Sequence, residues 1–227
     1  MFDHKSIEKI LGVEFSKPEL IRQAFIHRSY INEHSSSGLS HNERLEFLGD
    51  AVLELVVTAH LYRNFDNPEG ELTSWRSALV KTESLAAQAQ KLELGQYLQM
   101  SRGEAKNGGR ERVALLANLF EAIIGAIYLD HGYEAAKNFV HEHIIAQLDQ
   151  ILSSRSYIDA KSQFQELAQE RENTTPHYRV VSEEGPDHDK IFEVAVFLGA
   201  VEKGRGKGNS KQSAQQAAAA DALKSYS

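Results

Sequence analysis

The sequence predicts two domains of different class: an all-α domain over residues 1–152, then an α-β-β-β-α module of α+β class over residues 158–227. Three observations predict it. Apolar residues recur at helical spacing up to about residue 152 and alternate at strand period after it. A small polar run, Ser153-Ser154-Arg155-Ser156, separates the two patterns and sets a linker at 153–157. Gly and Pro fall between the helical runs, at Pro18, Gly38, Pro68-Glu69-Gly70 and Gly108-Gly109.

Taken in order, Ile7, Ile10 and Leu11 mark a first helix and Leu20, Ile21 and Ala24 a second. Leu45, Leu48, Val52 and Leu55 make a core-facing stripe on a longer helix, which Ser40 and Glu43 introduce as a capping box. Leu79, Leu85, Ala86 and Ala89 follow, then Leu116, Leu119, Phe120 and Ile123. Past the linker, Phe164, Leu167 and Ala168 mark one helix. Tyr178 and Val180, then Phe192, Val194, Val196 and Leu198, alternate as strands around a turn at Glu184-Gly185-Pro186-Asp187. Glycines 199, 204, 206 and 208 are expected to end strands, and Ser210 to Tyr226 to form an alanine-rich helix.

Composition limits the function. With 41 % apolar and 25 % charged residues the chain is an ordinary globular one. It has no cysteine, which excludes disulfides, thiolate zinc sites and cysteine nucleophiles, and fits a reducing, cytoplasmic setting. The start, Met1-Phe2-Asp3-His4-Lys5, lacks the basic and apolar run of a signal peptide. Apolar stretches such as Leu115-Leu116-Ala117 break quickly, so no membrane span is expected. The net charge of −7 means that nucleic-acid binding would need a local basic patch.

The chemistry-bearing segment is Asn42 to Asp50. Glu43, Glu46 and Asp50 stand at i, i+3 and i+7, which stacks three carboxylates on one helix face. Like charges one turn apart repel by a few tenths of a kcal/mol per pair. A row of acids without Lys or Arg therefore suggests a bound cation, although a solvated acidic face gives the same pattern. Asn118 and Glu121 lie one turn apart in an apolar run, where a carboxylate is costly to bury unless paired or metal-bound. Two helices could thus offer Glu46, Asp50, Asn118 and Glu121 to magnesium, as hard oxygen donors. Between Lys203 and Ala220 there is no acid, while Lys203, Arg205, Lys207 and Lys211 are basic and Ser210 and Lys211 open a helix whose free amides attract phosphate. The glycines at 204, 206 and 208 would let backbone approach a phosphate; a solvated loop is the plainer alternative.

Asn42 to Leu53 (NERLEFLGDAVL) resembles the signature helix of ribonuclease III. Leu11-Gly12 through His27-Arg28-Ser29-Tyr30, Arg76 to Val80, Gly103-Glu104 with Gly108-Gly109, and Phe120-Glu121-Ala122 through Asp130 match the same family in order. From Asp159 onward the chain resembles its double-stranded-RNA-binding domain. The resemblance implies an endoribonuclease that cuts double-stranded RNA with Mg2+ (Mn2+ substituting), leaves 5′-phosphate and 3′-hydroxyl ends with short 3′ overhangs, and processes ribosomal RNA precursors. It implies Glu46, Asp50, Asn118 and Glu121 as metal ligands, Asp50 and Glu121 as the catalytic pair, and Glu43 and Glu69 as accessory acids. It further implies a homodimer with Phe47 inserted in the partner, and RNA contacts from Ser162, Gln165, Gln169, His188, Lys207, Ser210 and Lys211. A membrane and a small-molecule substrate are not expected.

Two departures stand out. Asn118 occupies a place where Asp is expected, which removes a charge and leaves open a double-stranded-RNA-binding protein with impaired nuclease. Gln212 and Gln215 stand where further lysines are expected, which predicts weaker and less salt-sensitive RNA binding. A di-iron bundle fits poorly, because Glu-x-x-His pairs are missing around Glu46 and Glu121. His141-Glu142-His143 has the wrong spacing for a zinc helix, and His27 reads as structural. The Gly103 to Arg112 loop, with Lys106, Arg110 and Arg112, reads equally as an RNA contact or a plain connector.

Overall fold

The apolar runs assemble around one helix pair. In the computed structural model, which describes residues 3–34, 38–154, 159–186 and 190–226, the chain divides into two compact units, 1–157 and 158–227. The first unit is helical: α1 (His4–Leu11), α2 (Pro18–Ala24), α3 (Arg28–Glu33), α4 (Glu43–Asn64), α5 (Glu69–Val80), α6 (Thr82–Lys91), α7 (Arg102–Lys106), α8 (Val113–His131), α9 (Tyr133–His143) and α10 (Leu148–Ser154). Ser153 and Ser154 thus belong to α10, and the rest of the expected linker lies outside the described residues.

The central pair is α4 with α8. Ten residues of α8 are buried, among them Leu116, Leu119, Phe120, Ile123, Ile124 and Ile127. By length and composition this helix could cross a membrane, which corrects the expectation that no stretch qualifies; it serves here as the core helix. The contact with α4 is glycine on glycine. A Cβ on Gly49 would lie 1.8 Å from the Glu121 carbonyl oxygen, and one on Gly125 would lie 2.2 Å from that of Leu45. The two backbones touch, and nothing but hydrogen fits between them.

The start of α4 differs from expectation. Ser40 makes no capping box; Asn42 is the cap residue, and it makes no side-chain cap bond. Its buried amide instead donates to the Ala24 carbonyl at 3.2 Å, and its backbone N–H to that of Ile26 at 2.9 Å. Tertiary hydrogen bonds therefore fix where α4 begins. The core stripe of α4 runs through Leu45, Gly49, Val52, Leu53, Val56, Val57 and Leu61. Leu55 was expected in it but is 56 % exposed, because a straight 22-residue helix carries it to the opposite face. At the far end of α8 the buried Asp130 carboxylate accepts from the N–H groups of Ser16 and Lys17 at 2.7 and 3.1 Å, next to the first turn of α2.

The second unit is α11 (Ala160–Glu172), β1 (His177–Glu184), β2 (Ile191–Leu198), β3 (Val201–Gly208) and α12 (Lys211–Tyr226). The sheet is antiparallel in the order β1-β2-β3. Its inner face (Val194, Val196, Leu198) packs with Phe164 and Ala168 of α11 and the alanines of α12. Val180 departs from the predicted alternation: the register shifts between Val180 and Ser182, and Val180 is 41 % exposed. Gly208 ends β3 as expected, but Gly204 and Gly206 lie within it. Cβ atoms there would meet the backbone of α12, at 2.5 Å from Ala222 N and 2.2 Å from Ala218 N, or the Ser213 hydroxyl at 2.2 Å. What they let approach is the helix, not a phosphate.

Gly49→Ala should therefore destabilise the helical unit at the upper end of, or beyond, the about 1–3 kcal/mol usual for overpacking. Gly70, also helical but with open space around its Cβ position, should gain about 0.5–1 kcal/mol on mutation to Ala. Denaturant midpoints of both variants check this; equal effects would mean that the helix crossing is not tight.

Candidate active site and nucleic-acid surface

The Gly49–Gly125 contact sets the site. It lays the turn of α4 that carries Glu46 and Asp50 against the turn of α8 that carries Asn118 and Glu121. Glu46, Asn118 and Glu121 are half-buried and Asp50 is exposed. Their electrostatics show the proximity. Burial, then the charges of Asp50 and Glu46, push the Glu121 carboxyl up to about 7. Burial and the charges of Glu43 and Asp50 raise Glu46, while the neighbouring Asn118 amide partly offsets this by hydrogen bonding. Among the described residues, no Lys, Arg or His pairs with Glu46, Asp50 or Glu121.

The remaining sequence candidates lie elsewhere. Glu43 leaves the acidic row, because Arg28 reaches it from α3 at 3.2 Å and His41 lies at 3.8 Å. The expectation of an acid row without a cation thus holds for two of its three members and fails for Glu43, whose partner is remote in sequence. Glu69 stands apart at the first residue of α5, where it accepts from Thr73 at 3.0 Å and borders a groove of ≈ 570 Å³ with Tyr62, Phe65, Leu72 and Arg76. Phe47 is 80 % exposed and shares an apolar face of α4 with Leu55 and Tyr62, the last 79 % exposed. His27 accepts from Ser29 at the start of α3 and serves structure, and His143 packs on Phe139 and Phe120. In the Gly103 to Arg112 loop, Arg112 pairs with Glu104 at 2.5 Å and Arg110 binds the Gln96 carbonyl, so two of its three cations are engaged within the unit.

In the second unit Ser162, Gln165 and Gln169 lie exposed on one face of α11. Ser210 begins α12, accepting from Ser213 N at 3.1 Å, and Lys211 is its first helical residue. Lys207 projects from β3 on the side away from the helix. His188 lies outside the described residues.

A ribonuclease-III-like family model matches residues 17–148, and a double-stranded RNA binding motif matches residues 160–226. The chain belongs to the ribonuclease III family. Ribonuclease 3 of Oceanobacillus iheyensis is 45 % identical over 98 % of both chains, and that of Protochlamydia amoebophila is 47 % identical over 96 % of this chain and 90 % of its own. A nuclease-domain structure of the Campylobacter jejuni enzyme, described for flexibility in a region involved in dimer formation, is 41 % identical. It covers 63 % of this chain and 97 % of its own, with a TM-score of 0.59. The ribonuclease III reading of the sequence stands, and with it a helical nuclease fold followed by the RNA-binding motif. The chain is a double-strand-specific endoribonuclease, and its family implies a divalent metal cofactor.

The α4–α8 residues fit such an ion. They offer three carboxylates and one amide, all hard oxygen donors, and the carboxylates repel one another without a protein cation to relieve them. Among the described residues no three Asp, Glu, His or Cys side chains close into a metal cage by themselves. Sequence reasoning missed Arg28, Asn42 and Gly49. Only Gly49 carried a signal, a glycine inside a long helical pattern.

The raised Glu121 carboxyl gives a signed pH effect. An ordinary glutamate titrates near 4.5 and Glu121 near 7, so its contribution to folding is intact below about 4.5 and is lost as pH rises through 7. In chelator, Glu121→Gln should melt increasingly above the unaltered protein between pH 4.5 and 7, then by a constant margin of a few degrees, at about 2–4 °C per kcal/mol. Parallel melting curves across that range would contradict the assignment.

Proposed function

We propose that this chain hydrolyses double-stranded RNA with Mg2+, or Mn2+ in its place, held by Glu46, Asp50, Asn118 and Glu121. The observation that carries this is the unrelieved carboxylate cluster where α4 crosses α8. When bound, the ion supplies positive charge to the phosphate oxygens and makes the attacking water more acidic. Asp50 and Glu121 are the catalytic carboxylates that hold and orient the reacting groups. Water attacks phosphorus, the bond to the 3′ oxygen breaks, and that oxygen takes the proton, leaving 3′-hydroxyl and 5′-phosphate ends. Glu43, tied to Arg28, and Glu69 are accessory acids. Ser162, Gln165, Gln169, Lys207, Ser210 and Lys211, with His188, hold the duplex by its phosphates and A-form shape. The nuclease part spans residues 1–152 and the RNA-binding part 158–227, joined at 153–157.

The active form in this reading is a homodimer, which yields short 3′ overhangs. Its support is the apolar stripe on α4, where Phe47 and Tyr62 lie eight and seven residues to either side of Leu55. Two α4 helices packed antiparallel about Leu55 would set each Phe47 near the partner's Tyr62 and the groove that Glu69 borders. The Campylobacter jejuni nuclease domain also has a region involved in dimer formation. Cytoplasmic processing of ribosomal RNA precursors and other structured RNAs completes the proposal.

Glu121→Gln should lower magnesium-dependent cleavage of a long RNA duplex by more than about 100-fold, beyond the loss usual for an outer-shell partner. Duplex binding in chelator should stay within about two-fold, on the expectation that ligands and RNA-binding residues act separately. In the same assay Asn118→Asp should reach half-maximal rate at lower magnesium. Coincident magnesium curves would remove Asn118 from the ligand set, and a silent unaltered protein revived by Asp would mark Asn118 as disabling.

Phe47→Glu should shift the protein from dimer to monomer in sedimentation at micromolar concentration, because a buried unpaired carboxylate is costly at such a seam. A dimer that persists would place the interface elsewhere.

A further inference from the structure

The RNA-binding unit has a charge balance at odds with a polyanionic ligand. Residues 158–227 contain nine Lys and Arg against eleven Asp and Glu, a net charge of −2. Nucleic-acid-binding domains ordinarily show a basic surplus. The sequence gathers its cations in an acid-free stretch from Lys203 to Lys211, but the fold sets acids from other elements against them. Lys203 Nζ lies 3.2 Å from Glu172 of α11. Arg205 pairs with Glu202 at 2.5 Å and with Glu193 of β2 at 3.8 Å. Lys207 Nζ lies 3.8 Å from Glu193, and Lys211 Nζ 3.3 Å from Glu183 of β1.

These pairings follow from register. Glu193 stands directly across from Lys207 in the β2–β3 ladder and from Ser182 in the β1–β2 ladder. The Ser182 hydroxyl donates to the Glu193 carboxylate at 3.2 Å and holds it between Arg205 and Lys207. Glu183 lies just past the register shift in β1, paired with Phe192 of β2, and it meets Lys211 at the opening of α12.

We propose that Glu183 and Glu193 are internal competitors of the RNA phosphates, holding Lys211 and Lys207 and setting both the affinity and the salt dependence of duplex binding. This rests on reading Lys207 and Lys211 as phosphate contacts. An exposed ion pair is weak enough for a phosphate to open it. The displaced carboxylate, fixed to the sheet backbone, then stays beside the incoming phosphate and repels it. A lysine whose charge is partly cancelled in this way also displaces fewer condensed cations from the RNA, which flattens the dependence of affinity on salt. The glutamines at 212 and 215 lower the basic charge of α12; the two glutamates lower the effect of the charge that remains.

The test uses the full chain in chelator, where no cleavage occurs, and a duplex longer than the about 16 base pairs one such module spans. Affinity is measured from low to moderate salt for Glu183→Gln, Glu193→Gln, Lys207→Gln and Lys211→Gln. Each glutamate variant should tighten binding by about two- to five-fold, the size of an exposed ion pair. It should also steepen the log–log salt slope toward about 0.7–0.9 more per phosphate contact. Each lysine variant should weaken binding and flatten the slope. If the lysine variants weaken binding while both glutamate variants keep the original affinity and slope, the competition is overturned and the phosphate contacts stand. If the lysine variants change nothing, the phosphate reading fails and the proposal with it. Lower melting temperature with an unmoved slope would make the pairs merely structural, which also overturns it. Should Glu193→Gln not fold, Glu183→Gln reads the same competition at Lys211.

Discussion

The nuclease unit depends on one close approach, the contact of α4 and α8 at Gly49 and Gly125. No side chain separates the helices there, so half-buried Glu121 on one lies close to half-buried Glu46 and exposed Asp50 on the other. That arrangement opposes folding, since like charges repel more strongly as water is withdrawn. It is offset by what lies along the same seam. Leu116, Leu119, Phe120, Ile123, Ile124 and Ile127 are almost fully buried, and each large apolar side chain contributes roughly 1.5–3 kcal/mol. The core helix of the domain and the helix that carries half of the site are one element. A carboxylate cluster can be electrostatically strained here because its second helix is deeply buried.

The order of the domains and the presence of both halves of the carboxylate site were legible in the sequence, because period and charge spacing are local properties. What was not legible depends on partners remote along the chain. The start of α4 is set by Asn42 reaching Ala24 and Ile26, a tertiary contact that outweighs the local Ser40–Glu43 pattern. Leu55 looked like a core residue because it is apolar and near the right spacing, yet a 22-residue helix has two faces to offer and this one is left uncovered. Glu43 looked equivalent to Glu46 until Arg28 was placed beside it. Charge compensation across elements is invisible to spacing.

The second unit uses the same device with a different effect. Gly204, Gly206 and Gly208 bring β3 against the backbone and small side chains of α12, where Ala214, Ala218 and Ala222 complete the contact. Glycine in a strand signals a close approach or an end, and sequence alone could not choose between them. Because the glycines occupy the inner positions, Arg205 and Lys207 fall on the outer ones, across from β2. The packing requirement of α12 thus decides which face of the sheet carries the cations, and register then decides which acids they meet.

Asn118 is best understood through the charge of the site. With Asp there, four carboxylates would share the site; with Asn there are three, and the amide leans on Glu46 and partly offsets the rise in its titration. A cation and a proton compete for the same oxygens, so a carboxyl that titrates near 7 would give up a proton to take an ion at or below that pH. Removing one negative charge lowers that proton affinity as well as the attraction for the ion. The two effects oppose each other, and their balance changes with pH. Below about 7 a weaker hold on the Glu121 proton favours the ion, while above it only the lost attraction remains. In the proposed site the advantage of Asp over Asn at 118 is therefore fullest above about pH 7, where Glu121 has lost its proton.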